Sequence, residues 1–234
     1  MLFHRLESKI FVCQAAFEMT ANAASVGFQG FRARHVDVEC SLRPGLSSFE
    51  IKGLPGSLAT GAKARILSAF NAVGLALPAQ RIVVDMVCAK TVILGPHCDL
   101  AIATALLCEL ELVDRETASE FLFVGQFSND GGVKPVVGTV LAALHAEERE
   151  LSLVVASEQM GVLQHVPNVR IIPVHSCHEL ISFLKTGRSS EFETNHADVR
   201  PLPQLTETSY DPPWNGINLL ETEIIAHLKE RRER

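Results

Sequence analysis

Residues 125–144 read G-Q-F-S-N-D-G-G-V-K-P-V-V-G-T-V-L-A-A-L. Asn129-Asp130-Gly131-Gly132 is a strong hairpin turn, because Asn, Asp and Gly tolerate the left-handed backbone that tight turns need. A strand over 120–127 enters this turn, a return over 133–137 leaves it, and a helix over 139–148 follows. A hairpin in mid-chain is incompatible with strict strand–helix–strand alternation, and so with a uniformly parallel sheet.

Working outward, residues 33–41 alternate Val36, Val38 and Cys40 against Asp37 and Glu39, the period of a strand with one wet face. A second strand over 49–52 follows the turn at Pro44-Gly45. Residues 57–73 place Leu58, Ala62, Ile66, Ala69 and Val73 at helical spacing, with Gly74 at the stop position. Residues 81–87 form a nearly continuous apolar strand and 98–110 an apolar helix with Asp99 in its first turn. Strands over 151–156 and 169–174 alternate with helices over 158–164 and 177–184, the last opened by the capping box Ser176-Cys177-His178-Glu179. The order β-β-α-β-α-β-β-α-β-α-β-α is α+β, that is, mixed α/β.

The 234 residues are 47% hydrophobic, enough for one sizeable core. A net charge of −6 argues against a basic nucleic-acid face, so direct nucleic-acid binding is not expected. The six cysteines are scattered without a CxxC pair, and no secretory signal or long uncharged apolar run stands out. Reduced thiols in a cytoplasmic protein, with no membrane span, are the expectation. Residues 1–24 read as an extension, 25–185 as the domain, 186–216 as a Ser/Thr/Pro/Asn-rich linker, and 217–234 as an amphipathic helix ending K-E-R-R-E-R.

Taken together, V-D-V-E-C-S-L-R-P-G-L-S-S-F-E-I-K-G-L-P-G (36–56), G-L-A-L-P-A-Q-R-I-V-V-D (74–85), G-P-H-C-D-L-A-I-A (95–103) and V-G-Q-F-S-N-D-G-G-V-K-P-V-V-G (124–138) resemble the N-terminal domain of the magnesium-chelatase-related ATPases of the ComM/YifB competence family. The resemblance implies a Lon-protease-like fold related to the second domain of ribosomal protein S5. It also implies an AAA+ ATPase partner and a setting in DNA uptake and recombination during natural transformation. Ser25 and Gly30 match the family's start, so Met19 is expected as the true start. Residues 211–226 resemble the entry to the ATPase module, and the expectation is a chain truncated near that boundary. The charged stretch that the family carries after G-L-P is thinned here to T-G-A-K-A-R at 60–65.

The resemblance to Lon-type serine–lysine peptidases would put a serine near His97 and a lysine at Val140, and neither is present. That chemistry needs an alkoxide precursor beside a lysine of lowered pKa, and Lys134 sits on the hairpin, facing solvent by expectation. Cys98 beside His97 is a weak nucleophile candidate. The expectation is that His97 is exposed and Cys98 packs at a helix start, where the dipole would lower its pKa. Residues 56–63 (G-S-L-A-T-G-A-K) narrowly miss a phosphate loop, with Gly61 placed inside a helix by periodicity and Ala64 where a hydroxyl belongs. His175, Cys177 and His178 lack a fourth metal ligand at sensible spacing, and the helix cap already explains them.

No catalytic, cofactor-binding or metal residue is therefore assigned, no cofactor is implied, and no small-molecule substrate is evident. The expected function is a non-catalytic accessory or partner-binding domain, engaging an AAA+ ATPase subunit or a second copy of itself. The alternatives are a residual Lon-like hydrolase with an unusual nucleophile, or a degenerate remnant without activity.

Overall fold

The computed structural model describes residues 21–89, 91–164, 166–187, 222 and 224–226. Strands β1 (Ala21–Gln29), β2 (Arg32–Arg43) and β3 (Ser48–Lys52) lead to helix α1 (Gly56–Ala72) and strand β4 (Arg81–Val87). A 3-10 turn (Pro96–Cys98) opens α2 (Asp99–Glu109), and α3 (Arg115–Ser119) precedes β5 (Phe121–Val124). The hairpin β6 (Gln126–Phe127) and β7 (Val133–Lys134) feeds α4 (Thr139–Glu148) and β8 (Ser152–Ala156). A second 3-10 turn (Ser157–Gln159) runs into α5 (Met160–Leu163), followed by β9 (Ile171–Val174) and α6 (Cys177–Thr186).

Seven strands form one sheet in the order β3-β4-β2-β1-β5-β8-β9, and β6–β7 stands apart as a ribbon. Strand β2 runs antiparallel to β1 and β4, while β3–β4, β1–β5, β5–β8 and β8–β9 are parallel. The fold is mixed α/β with a mostly parallel central sheet.

Side chains alternate across that sheet as the strand period requires. Val36, Val38 and Cys40 of β2 and Phe121 and Phe123 of β5 face one core with residues of α1, α2 and α6. Leu122 and Val124 face the other way, into a second core with Val26, Phe28, α4 and Leu163 of α5. Every residue from Asp99 to Cys108 is buried, so α2 is wrapped on all sides and carries almost no polar face.

Helix ends follow their local chemistry. Gly74 ends α1 with φ 73°, and the N–H groups of Gly74 and Leu75 bond back to Asn71 O (3.0 Å) and Phe70 O (2.9 Å). Ser176 Oγ accepts from the Glu179 N–H at the start of α6, while the Glu179 carboxylate takes the His175 N–H (2.7 Å). The capping box is thus present, with its return bond displaced by one residue.

Two elements depart from the sequence reading. Strand β1 is absent from it and begins at Ala21, four residues ahead of the expected domain start. Helix α3, capped by Asp114 accepting from the Thr117 N–H (3.1 Å), has no counterpart among the expected elements. Residues 188–216 of the linker expected at 186–216, the terminal K-E-R-R-E-R and residues 1–20 of the extension expected at 1–24 lie outside the described residues, while Thr186 ends α6 and Gly187 caps it. Residues 222 and 224–226 are helical, with Ile224 and Ile225 half-buried against the second core. Among the described residues, no helix is long and apolar enough to cross a membrane.

Candidate functional site

His97 lies on the 3-10 turn at the head of α2, and Val140 in the first turn of α4. The expectation that His97 is exposed is overturned: it is 3% exposed. Strand β1, which the sequence reading lacked, covers it. The Val26 carbonyl sits 2.8 Å from His97 Nε2 and can only accept, so Nε2 carries the hydrogen. Burial pulls the imidazole down to about pKa 4, against the opposing pull of the Val26 carbonyl. His97 is therefore neutral at pH 7.

Phe28, two residues along β1, fills the space beside it. Its ring lies 5.1 Å from the His97 ring, centre to centre, and shares the second core with Val140. Gly138, at the N-cap of α4, has φ 92°, and a Cβ there would come within 2.2 Å of the Phe28 ring. The residues that the resemblance pairs as serine and lysine positions thus flank a packed phenylalanine. Lys134 is exposed on the hairpin, as expected.

Cys98 is fully buried, with Sγ 3.8 Å from the Val26 carbonyl. The expected lowering of its pKa by the helix N-terminus is also overturned. Burial dominates and pushes the thiol up to about 12, although the Gly95 backbone and the Ser25 hydroxyl pull the other way. A thiol held that high offers almost no thiolate at neutral pH.

The sequence reading missed a buried ion pair next to these residues. Asp99 is fully buried, and Arg65 of α1 grips it through Nε–Oδ2 (2.6 Å) and Nη2–Oδ1 (3.0 Å). The Phe127 N–H adds a third bond to Oδ2 (3.2 Å). Burial raises the carboxyl to about 6, with Arg65 opposing it, so Asp99 is ionised at pH 7. An Arg–carboxylate spacing of 34 residues carries no sequence motif. The one available signal was an acid in the first turn of an otherwise apolar helix.

An open cleft of about 360 Å3 lies between α1 and the β6–β7 hairpin, lined by Gly61, Arg65, Gln126, Ser128, Asn129 and Lys134 among others. Asp130 closes the hairpin by accepting from Ser128 Oγ and from the Gly132 N–H (3.2 Å). The near-miss phosphate loop falls within α1, and Gly61 is helical as expected. His175 Nδ1 pairs with Glu179 (3.0 Å), Cys177 is buried in the first core, and His178 is exposed, so these three do not converge.

A family model described as subunit ChlI of Mg-chelatase matches residues 38–159, more than half of the chain. The competence protein ComM of Haemophilus influenzae is 26% identical over 206 residues, which is 87% of this chain and 38% of that protein. The uncharacterized protein YifB of Escherichia coli is 29% identical over 174 residues, 74% of this chain and 33% of its own. An uncharacterized protein of Mycobacterium tuberculosis is 28% identical over 183 residues, 76% of this chain and 36% of its own. The chain spans about a third of the length of these relatives.

Proposed function

We propose, from the premise that this chain belongs to the family of subunit ChlI of Mg-chelatase, that it acts as a non-catalytic accessory domain binding an AAA+ ATPase subunit. The observation that carries this reading is Phe28 packed between His97 and the start of α4. A neutral, buried histidine and an apolar residue occupy the positions where a Lon-type peptidase would need a nucleophile and a base. The alternative of a residual hydrolase loses its nearest nucleophile to the burial of Cys98. The Haemophilus influenzae relative is named a competence protein, which supports placing this domain in DNA uptake and recombination.

The test is co-expression with the AAA+ module of the same genome, identified by a G-x-x-x-x-G-K-[ST] loop. The two are expected to co-purify and to hold together at micromolar concentration, and the chain alone is expected to leave casein intact. Failure to associate overturns the accessory role, and casein cleavage overturns the non-catalytic one. Deleting the gene in a transformable host should lower transformation frequency; an unchanged frequency removes the competence setting.

A further inference from the structure

His35 on β2 stands opposite Val26 in the β1–β2 register, so its side chain shares the face of the sheet that holds the second core. Helix α4 packs on that face and brings His145 to it, with the two rings 5.7 Å apart, centre to centre, and tilted by 38°. His35 Nδ1 and His145 Nε2 are sealed from solvent, and neither meets a hydrogen-bond partner. Buried polar atoms are seldom left this way, and here two sit on neighbouring rings at one helix–sheet seam.

A neutral imidazole can present a bare lone pair at its sealed nitrogen. A protonated one cannot, because both ring nitrogens of an imidazolium carry hydrogen. Protonating the pair turns both sealed atoms into charged donors without an acceptor, on rings whose like charges stand side by side. An unpartnered charged group costs more than an unpartnered neutral one, so acid works against this seam. We propose that His35 and His145 form an acid-sensitive latch, whose protonation releases helix α4 from strand β2 and uncovers the second core.

The surroundings leave the added charge largely uncompensated. Burial is the main cause that lowers the pKa of His145, joined by His35, Arg149 and Arg34, and Glu148 opposes them. On β2, Asp37 Oδ1 lies 3.3 Å from His35 Nε2 and supplies that ring with a counter-ion once it is charged. Glu147, the other acid of α4, is turned to Asn168 (2.9 Å). Strands β5 and β8 and helix α5, which also pack on α4, carry no charged side chain. Because His145 holds its proton more weakly folded than unfolded, the closed seam loses stability as pH falls below about 6.5. Release would expose Leu141 and Val140 of α4 together with Val26 and Phe28 of β1. The latch needs no partner chain, so it stands apart from the proposed function.

Hydrogen exchange of the full chain tests it, read by mass spectrometry at pH 7, 6 and 5 and corrected for the intrinsic rate at each pH. Protection across α4 should fall about tenfold or more from pH 7 to pH 5, and across α2 by clearly less. Equal losses in the two helices, or none in α4, overturn the proposal. In His145→Gln, which has no titrating ring at this seam, the α4 loss should shrink; a loss as large as in the unsubstituted chain overturns it. Should that variant fail to fold, ring 1H–15N spectra of the unsubstituted chain decide the matter. His35 and His145 must take up protons over the pH range in which α4 loses protection, and uptake confined to other histidines overturns the latch.

Discussion

Arg65 reaches Asp99 through two hydrogen bonds, 2.6 and 3.0 Å long, and joins helices α1 and α2 at a point where the carboxylate has no solvent at all. Gly61 clears the path, because a Cβ there would stand 3.0 Å from Arg65 Nη1. Removing the guanidinium strands a buried charge. Arg65→Ala should cost about 3–5 kcal/mol at pH 7, whereas Arg65→Ala in an Asp99→Asn background should cost clearly less. Urea unfolding of the four proteins measures both, and equal costs in the two backgrounds would contradict the pairing.

Asp99 and His97 pull the pH dependence of stability in opposite directions. Asp99 titrates near 6 when folded and near 3.8 when unfolded, so the folded chain holds the extra proton in that window and stability falls as pH rises through it. His97 titrates near 4 when folded and near 6.5 when unfolded, so the unfolded chain holds the extra proton and stability rises with pH. Each effect spans about 3 kcal/mol at 1.36 kcal/mol per pKa unit, and the two largely cancel. Relative to the unsubstituted protein, Asp99→Asn should make stability climb more steeply between pH 4 and 6, and His97→Gln should make it fall. Urea midpoints from pH 4 to 7 read this directly; parallel profiles for all three proteins would refute it.

Gly138→Ala should destabilise by about 2 kcal/mol or more, combining a left-handed backbone with a methyl driven into the Phe28 ring. Phe28→Ala in the same protein should relieve the clash, so the two costs should sum to less than additive. Strict additivity in thermal unfolding would show that the ring and the glycine are not in contact.

Placing a lysine at Val140 should not bring the missing peptidase chemistry. The site is fully buried, so the ammonium would lose its proton or unfold the helix, and the pKa should fall by roughly 3–5 units. Val140→Lys is expected to lower stability strongly at neutral pH, less at pH 10, and to leave casein uncut. Any casein cleavage by this variant would show that the scaffold still holds a competent nucleophile.

Cys98, Cys40 and Cys177 should resist iodoacetamide in the folded protein, since burial pushes each up to about 12. Cys88 is half-exposed and should be modified ahead of them, with all of them reacting freely in urea. Peptide mapping after timed labelling gives the order, and native-state labelling of Cys98 at the rate of glutathione would contradict the burial of the site.

Much of the architecture could be read from local pattern. Val36, Val38 and Cys40 marked β2, the turn at 129–132 marked the hairpin, and Ser176 with Glu179 marked the start of α6. What escaped depends on distant partners. The stretch Ala21–Gln29 is rich in small residues and shows little alternation by itself. It becomes a strand because β2 pairs with all nine of its positions. The same strand brings Val26 and Phe28 to His97, 71 residues away in the case of Val26, which is why a histidine expected at the surface is buried. Periodicity also shows which face of α1 is apolar, but not that Arg65 on its flank finds Asp99 across a helix boundary.

Strand β1 meets β5 through a single register pair, Ala24 with Leu122, reinforced by the Ser25 hydroxyl on the Phe123 carbonyl (2.9 Å). On one side of that seam lie strands from residues 21–87, and on the other strands from 121–174. During synthesis β1 to β4 can pair with one another as soon as β4 leaves the ribosome, because each of those pairings lies within the emerged chain. The seam must wait for β5, and until then the edge of β1 and the apolar side chains of Val26 and Phe28 stay open. Slowing translation between residues 87 and 121 would lengthen the interval in which that edge stays unpaired and open to another chain.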